Sequence, residues 1–259
     1  MRIINKNSKN RIKVGVTEIG SYLEINKPIV LDWSDCDGSM GRYCTLMGLK
    51  DAKFISLTHE LNSHTYKDYS ENPEGLLIDF QPLLSLLENG LYFINYSKGS
   101  ENPVMESYLV FPKRAVTEQT FINENKDDVL LFTSHWYYEL QGSFTIATQS
   151  EDSINREQVE FYKNEIIQGK RPFVIGIYKS YITDESKTNE TGDDNPELTS
   201  AVFLLDGHHK FLAYQELKIS SPTFTICQGF SNSDAIYFDL GKLKNYLNHF
   251  QTDHLEANR

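Results

Sequence analysis

The stretch Phe203-Leu204-Leu205-Asp206-Gly207-His208-His209-Lys210-Phe211-Leu212-Ala213-Tyr214 constrains the fold more than any other part of the chain. An apolar run stops at Asp-Gly, and apolar residues then recur three apart at Phe211, Tyr214 and Leu217, with Leu212 and Ala213 beside them. This spacing predicts a strand that feeds directly into a helix whose opening turn carries His208, His209 and Lys210. The first amides of a helix have no intrahelical acceptor, and the aligned peptide dipoles add partial positive charge there, so anions bind readily at such a place. Two readings follow. In one, Asp206 caps the helix and both histidines face solvent. In the other, Gly207 lets the backbone approach a bound anion and Lys210 adds a formal charge. The second is favoured, because a His-His-Lys cluster stands where the dipole disfavours cations, and a bound anion would remove that conflict.

The flanks give this junction an order of elements. Arg156 to Gln168 carries apolar residues at Val159, Phe161, Tyr162, Ile166 and Ile167 and stops at Gly169, which predicts a helix. Pro172 to Tyr181 is strand-like, a polar connection runs from 182 to 200, and a strand from Ala201 to Leu205 leads into the motif. The connection holds Asp184, Glu185, Glu190, Asp193, Asp194 and Glu197 against Lys187, a composition that buries little apolar surface and predicts a long mobile loop. After Ser221-Pro222, Thr223 to Cys227 alternates as a further strand.

Over about residues 154 to 228 this order and motif resemble the ParB/sulfiredoxin-like superfamily, with Asp206-Gly207-His208-His209-Lys210 similar to its Asp-Gly-His-His-Arg variant and Gly169 to Val174 similar to its Gly-x-x-Pro segment. The resemblance implies a nucleotide-phosphate site in which Gly207, His208, His209 and Lys210 contact the ligand, ATP or another nucleotide with Mg²⁺. It implies ATP-dependent phosphoryl transfer or nucleotide hydrolysis. His208 or His209 would touch phosphate oxygens or shuttle a proton, and Asp206 would help hold Mg²⁺ or accept a proton from the nucleophile. Glu165, on the helix before Gly169, is a second candidate base. Members of this superfamily include CTP-switched partitioning proteins, sulfinic acid reductases, free-serine kinases and proposed nucleases, so fold alone does not select the chemistry. His208 stands where sulfiredoxin carries its catalytic cysteine, which argues against sulfinic acid reduction. Lys210 replaces the usual arginine and offers a point charge without the two-pronged fork. A non-catalytic nucleotide sensor and a ParB-like nuclease are the alternatives.

Charge bears on the partner. The net charge is −11, with 14 basic and 19 acidic residues in 1–150 and 11 and 17 in 151–259, so neither half is a basic module. Nucleic acid is therefore a poor candidate partner, since such binding rests on Lys and Arg displacing counterions. Lys163, Lys170, Arg171 and Lys210 are enough for a local patch around a small nucleotide. Three cysteines without metal-ligand spacing, no apolar leader in Met1 to Val14 and no run long enough to span a bilayer point to a cytoplasmic protein.

The first 150 residues read as a separate mixed α/β domain, and the whole as α+β class with a ParB/sulfiredoxin-like domain over 151–259. Ile29 to Trp33 is expected as a strand, Arg42 to Leu49 as a short helix and Lys53 to Leu57 as a strand. The Gly-containing loop between the first two would form a second small ligand site. Asp32, Asp35 and Asp37 lack the spacing of a calcium loop. Leu76 to Leu87 is expected to be helical over its second half, and Leu91 to Tyr96 and Tyr108 to Phe111 to be strands. Val129 to Thr133, His135 to Leu140 and Ser143 to Thr148 are expected as a meander with a turn at Gln141-Gly142.

Overall fold

The computed structural model describes residues 2–5, 9, 11–16, 20–25, 28–34, 41–46, 66–69, 72–99, 108–112, 132–133, 144–182, 202–231 and 249. Helices and a mixed sheet occur together, so the fold is of α+β class.

The first five strands are β1 (Arg2–Asn5), β2 (Ile12–Val16), β3 (Gly20–Ile25), β4 (Pro28–Ser34) and β5 (Gly41–Leu46). Helix α1 spans Pro73–Leu84, followed by β6 (Gly90–Ser97), β7 (Tyr108–Val110), β8 (Phe132–Thr133) and β9 (Phe144–Ile146). A 3-10 turn at Glu151–Ser153 leads into α2 (Arg156–Ile167), β10 (Val174–Ile182), β11 (Val202–Asp206), α3 (His208–Leu217) and β12 (Thr223–Ser231). Seven strands form one sheet in the order β1-β6-β12-β10-β11-β9-β7, and five form a second in the order β2-β3-β4-β5-β8. β10 lies parallel to β12 and antiparallel to β11, while β11 runs parallel to β9.

Three expectations are corrected. Gly41–Leu46 is a strand and not a helix: it pairs antiparallel with β4, Trp33 opposite Tyr43 and Asp32 opposite Cys44, so the second strand-loop-helix site does not form. Tyr, Cys and Thr have only modest helix preference, and cross-strand pairing decides the outcome. Helix α1 begins earlier than its apolar run, because Pro73 sits in the first turn and Asn72 Oδ1 accepts from Gly75 N at 2.9 Å. It ends at Leu84, with Leu86 and Leu87 beyond it. The described ends of the expected meander also lie apart: β8 pairs with β5 in the five-stranded sheet, and β9 sits between β11 and β7 in the other. The stretch 135–140, the turn at 141–142, the strand expected over 53–57, and the acidic loop past Ile182 fall outside the described residues.

The division expected at residue 150 falls within one hydrogen-bonded sheet. β6 pairs along β12 from Ser97 opposite Thr223 to Leu91 opposite Gly229, and β7 and β9 extend the other side. One apolar cluster spans both sheets, joining Ile12, Leu23 and Val30 to Phe80, Ile94, Phe173, Phe203 and Phe224. Phe80 of α1 stacks on Phe224 with ring centroids 4.0 Å apart. Helix α3 is packed on two sides. Phe211 joins Val174, Leu204 and Leu109 of the sheet, and Ala213 and Tyr214 join Val159 and Ile166 of α2. That double packing holds the opening turn of α3 in place.

Candidate functional site

The junction forms as its sequence predicts. β11 ends at Asp206, Gly207 takes the left-handed conformation (φ +99°), and α3 starts at His208. A Cβ at Gly207 would lie 2.8 Å from Val174 Cγ1 and 3.3 Å from Val174 Cα. The glycine therefore serves the turn and the close approach to β10; that room is not left for a ligand. Gly169 likewise ends α2 with φ +89°, and its N–H bonds to Ile166 O at 2.9 Å.

His208, His209 and Lys210 do not converge. Consecutive helical residues are turned about 100° from one another, and each of these three has a separate partner. His208 is buried, and its Nε2 accepts from Thr148 N at 3.0 Å; Thr148 Oγ1 donates to Leu204 O at 2.7 Å and lies 3.2 Å from the same nitrogen. An Nε2 that accepts an amide N–H carries no proton, so the neutral ring is protonated at Nδ1. Burial, then the neighbouring His209 and Lys210, lower its pKa to about 3. A ring so placed is neutral near pH 7 and makes a poor proton shuttle. His209 is half-buried, and its Nε2 accepts from Asn155 N at 3.1 Å. Its pKa is lowered by burial and by Lys210, against an opposing pull from Asp206.

Lys210 is buried, with its side chain 3% exposed, and reaches back to the strand: Nζ donates to Asp206 Oδ2 at 2.7 Å and to Phe173 O at 3.2 Å. A lysine can stay charged at such a depth when a carboxylate faces it, and Asp206 supplies that counter-charge. The pair answers the clash between cations and dipole from within the protein. The same contact engages one carboxylate oxygen of Asp206. Among the described residues no three metal-binding side chains come together, so they form no all-protein metal cage.

Glu165 faces elsewhere. Its Oε2 is 2.5 Å from Lys170 Nζ and accepts from the Tyr66 hydroxyl at 3.3 Å. The half-buried Tyr162 stands within electrostatic reach of both Asp206 and Glu165, and burial, then those two carboxylates, raise its pKa. The expected basic patch is dispersed into local contacts. Lys163 pairs with Glu160 and Glu216, Lys170 with Glu165, and Arg171 Nη1 donates to the carbonyls of Ile166 and Lys170.

What α3 does offer is its backbone. Gly207 occupies the capping position, and no side chain caps the first turn. The amides of His208, His209 and Lys210 thus keep their dipolar end, beside a buried ion pair of no net charge. Sequence reasoning missed Thr148, Asn155 and the Phe173 carbonyl. Asn155 carried a signal, an N-cap residue directly before a helix, and its Oδ1 accepts from Glu157 N and Gln158 N. Comparison with family models, with curated proteins and with solved structures finds no match for this chain. Among the described residues no helix is long and apolar enough to cross a membrane.

Proposed function

We propose that residues 154 to 228 form a ParB/sulfiredoxin-like domain in a cytoplasmic protein, and that the domain binds the phosphate of a nucleotide at the first turn of α3. The observation that carries the reading is the uncapped first turn behind the left-handed Gly207, held by the sheet on one side and α2 on the other. Backbone amides and the helix dipole supply the attraction; Lys210 contributes by holding Asp206 at 2.7 Å, which offsets the carboxylate charge next to the anion.

Binding without turnover is favoured over phosphoryl transfer or hydrolysis. The groups that would move a proton have partners near neutral pH: His208 in Thr148, His209 in Asn155, Asp206 in Lys210, and Glu165 in Lys170 and Tyr66. This is the nucleotide-sensor reading.

Thermal shift with ATP, CTP, GTP and ADP, each with and without Mg²⁺, tests it on the wild type and on His209→Glu. A carboxylate at 209 can still accept from Asn155 N–H and suits the dipole, but it repels an anion at the same turn. The wild type should gain about 2.7 kcal/mol at a hundredfold excess of nucleotide over Kd. His209→Glu should melt no lower than wild type without nucleotide and show no shift with it. No shift for the wild type with any nucleotide overturns the reading, and nucleotide consumed in a single turnover returns the site to catalysis.

A further inference from the structure

The two histidines bind one short segment at both ends. Thr148, just after β9, gives its N–H to His208, and Asn155, the N-cap of α2, gives its N–H to His209. Residues 148–155 therefore hang between two imidazole acceptors on consecutive positions of α3, with the 3-10 turn Glu151–Ser153 exposed between them. A neutral imidazole has one acceptor nitrogen, and here that nitrogen is spent on a main-chain amide in each ring. Adding a proton turns the acceptor into a donor that meets an N–H head on.

We propose that His208 and His209 form a clasp that fastens residues 148–155 and the start of α2 to the opening turn of α3, and that protonation of His209 opens it at the Asn155 end. The two ends differ in access. His208 is buried and also braced by Thr148 Oγ1, whereas His209 is half-buried, so His209 takes up a proton first. The charged groups acting on His209 are Asp206 at the end of β11, which favours the proton, and Lys210 on α3, which opposes it. His208, beside it on α3, is neutral at the pH values concerned. From α2, Arg156 is turned to Glu216 at 2.6 Å. Opening at Asn155 also loosens the cap of α2, because the residue that donates to His209 is the one whose side chain accepts from Glu157 and Gln158. The clasp needs no nucleotide and stands whether or not the phosphate site does.

Histidine ring NMR on the full chain, with amide exchange across the same pH range, tests the clasp. At neutral pH both rings should show the Nδ1–H tautomer. On acidification His209 should take its proton below the ordinary histidine value, and the protection factors of Asn155, Glu157 and Gln158, taken against the intrinsic exchange rate at each pH, should fall about tenfold in the same step, the loss of one hydrogen bond. His209→Gln, whose Oε1 can accept the amide but does not titrate, should keep the protection and lose the pH step. His209→Ala should lose protection at every pH. The proposal is overturned if His209 protonates while the protection factor of Asn155 stays unchanged, or if His209→Gln retains the pH step.

Discussion

The α2–α3 junction and the five-stranded sheet hold their buried groups by opposite means. In the sheet, β2 to β5 pair with sequence neighbours, and among the described side chains the buried ones are mostly apolar: Ile12, Val14, Leu23 and Val30 meet the shared core. At the junction a lysine and a histidine are also buried, each matched to a particular polar partner: Asp206 for Lys210, the Thr148 amide for His208. Apolar packing tolerates small changes by degrees, but a buried charge that loses its partner keeps its whole desolvation cost. The two regions should therefore respond differently to mutation and to pH, and the junction should be the more brittle.

The largest expected effect comes from Asp206→Ala, which leaves Lys210 buried with Phe173 O as its remaining acceptor. Chemical denaturation should show a loss of about 3–5 kcal/mol. Adding Lys210→Met to Asp206→Leu should recover most of it, since an apolar pair of similar volume carries no charge to desolvate. A pair of glycines comes next. Gly207→Ala combines a left-handed backbone with a contact on Val174 backbone and should cost about 2–4 kcal/mol. In the sheet, a Cβ at Gly15 would fall 2.0 Å from the ring of its cross-strand partner Tyr22, which is itself buried. That overlap should cost about 1–3 kcal/mol. Tyr22→Leu in the Gly15→Ala background should relieve part of the loss, whereas no side-chain change at Val174 relieves the strain of φ +99°.

The same contrast separates what was legible in the sequence from what was not. The run from Phe203 to Leu205 and the three-residue steps from Phe211 to Leu217 record local periodicity, and they place β11 and α3 within a residue. Gly169 ends α2 because a left-handed residue is needed there, a requirement that one glycine can signal. Pairing partners distant in the chain leave no such mark. β5 was open to misreading as a helix because its pairing with β4 settles it, and β8 and β9 enter different sheets although eleven positions separate Thr133 from Phe144. At the site, the Asp-Gly-His-His-Lys motif gave the right turn and the wrong convergence. The divergence of 208, 209 and 210 follows from helix geometry alone, whereas the partner of His208 lies 60 residues away and has no local signature.

The effect most specific to the junction is small near pH 6.5 and grows on acidification. His208 has a folded pKa of about 3 against an ordinary value of 6.5. Its folded form binds fewer protons than the unfolded chain between those values, so it contributes stability that is complete above pH 6.5 and is lost as pH falls toward 3. The loss is about 1.4 kcal/mol for each pH unit. Carboxylates titrate in the same range, so the measurement that isolates His208 is the stability difference between wild type and His208→Gln as a function of pH. Gln can still accept from Thr148 but does not titrate; its advantage to the wild type at pH 7 should shrink by that slope on acidification. Ile12→Val in the sheet supplies the contrast: it should cost about 1 kcal/mol, and by the same amount at pH 7 and pH 5, because no charge is buried at Ile12. A pH-independent gap for His208→Gln would mean that the ring is not held neutral by its surroundings, and the junction would then be an apolar joint of the same kind as the sheet.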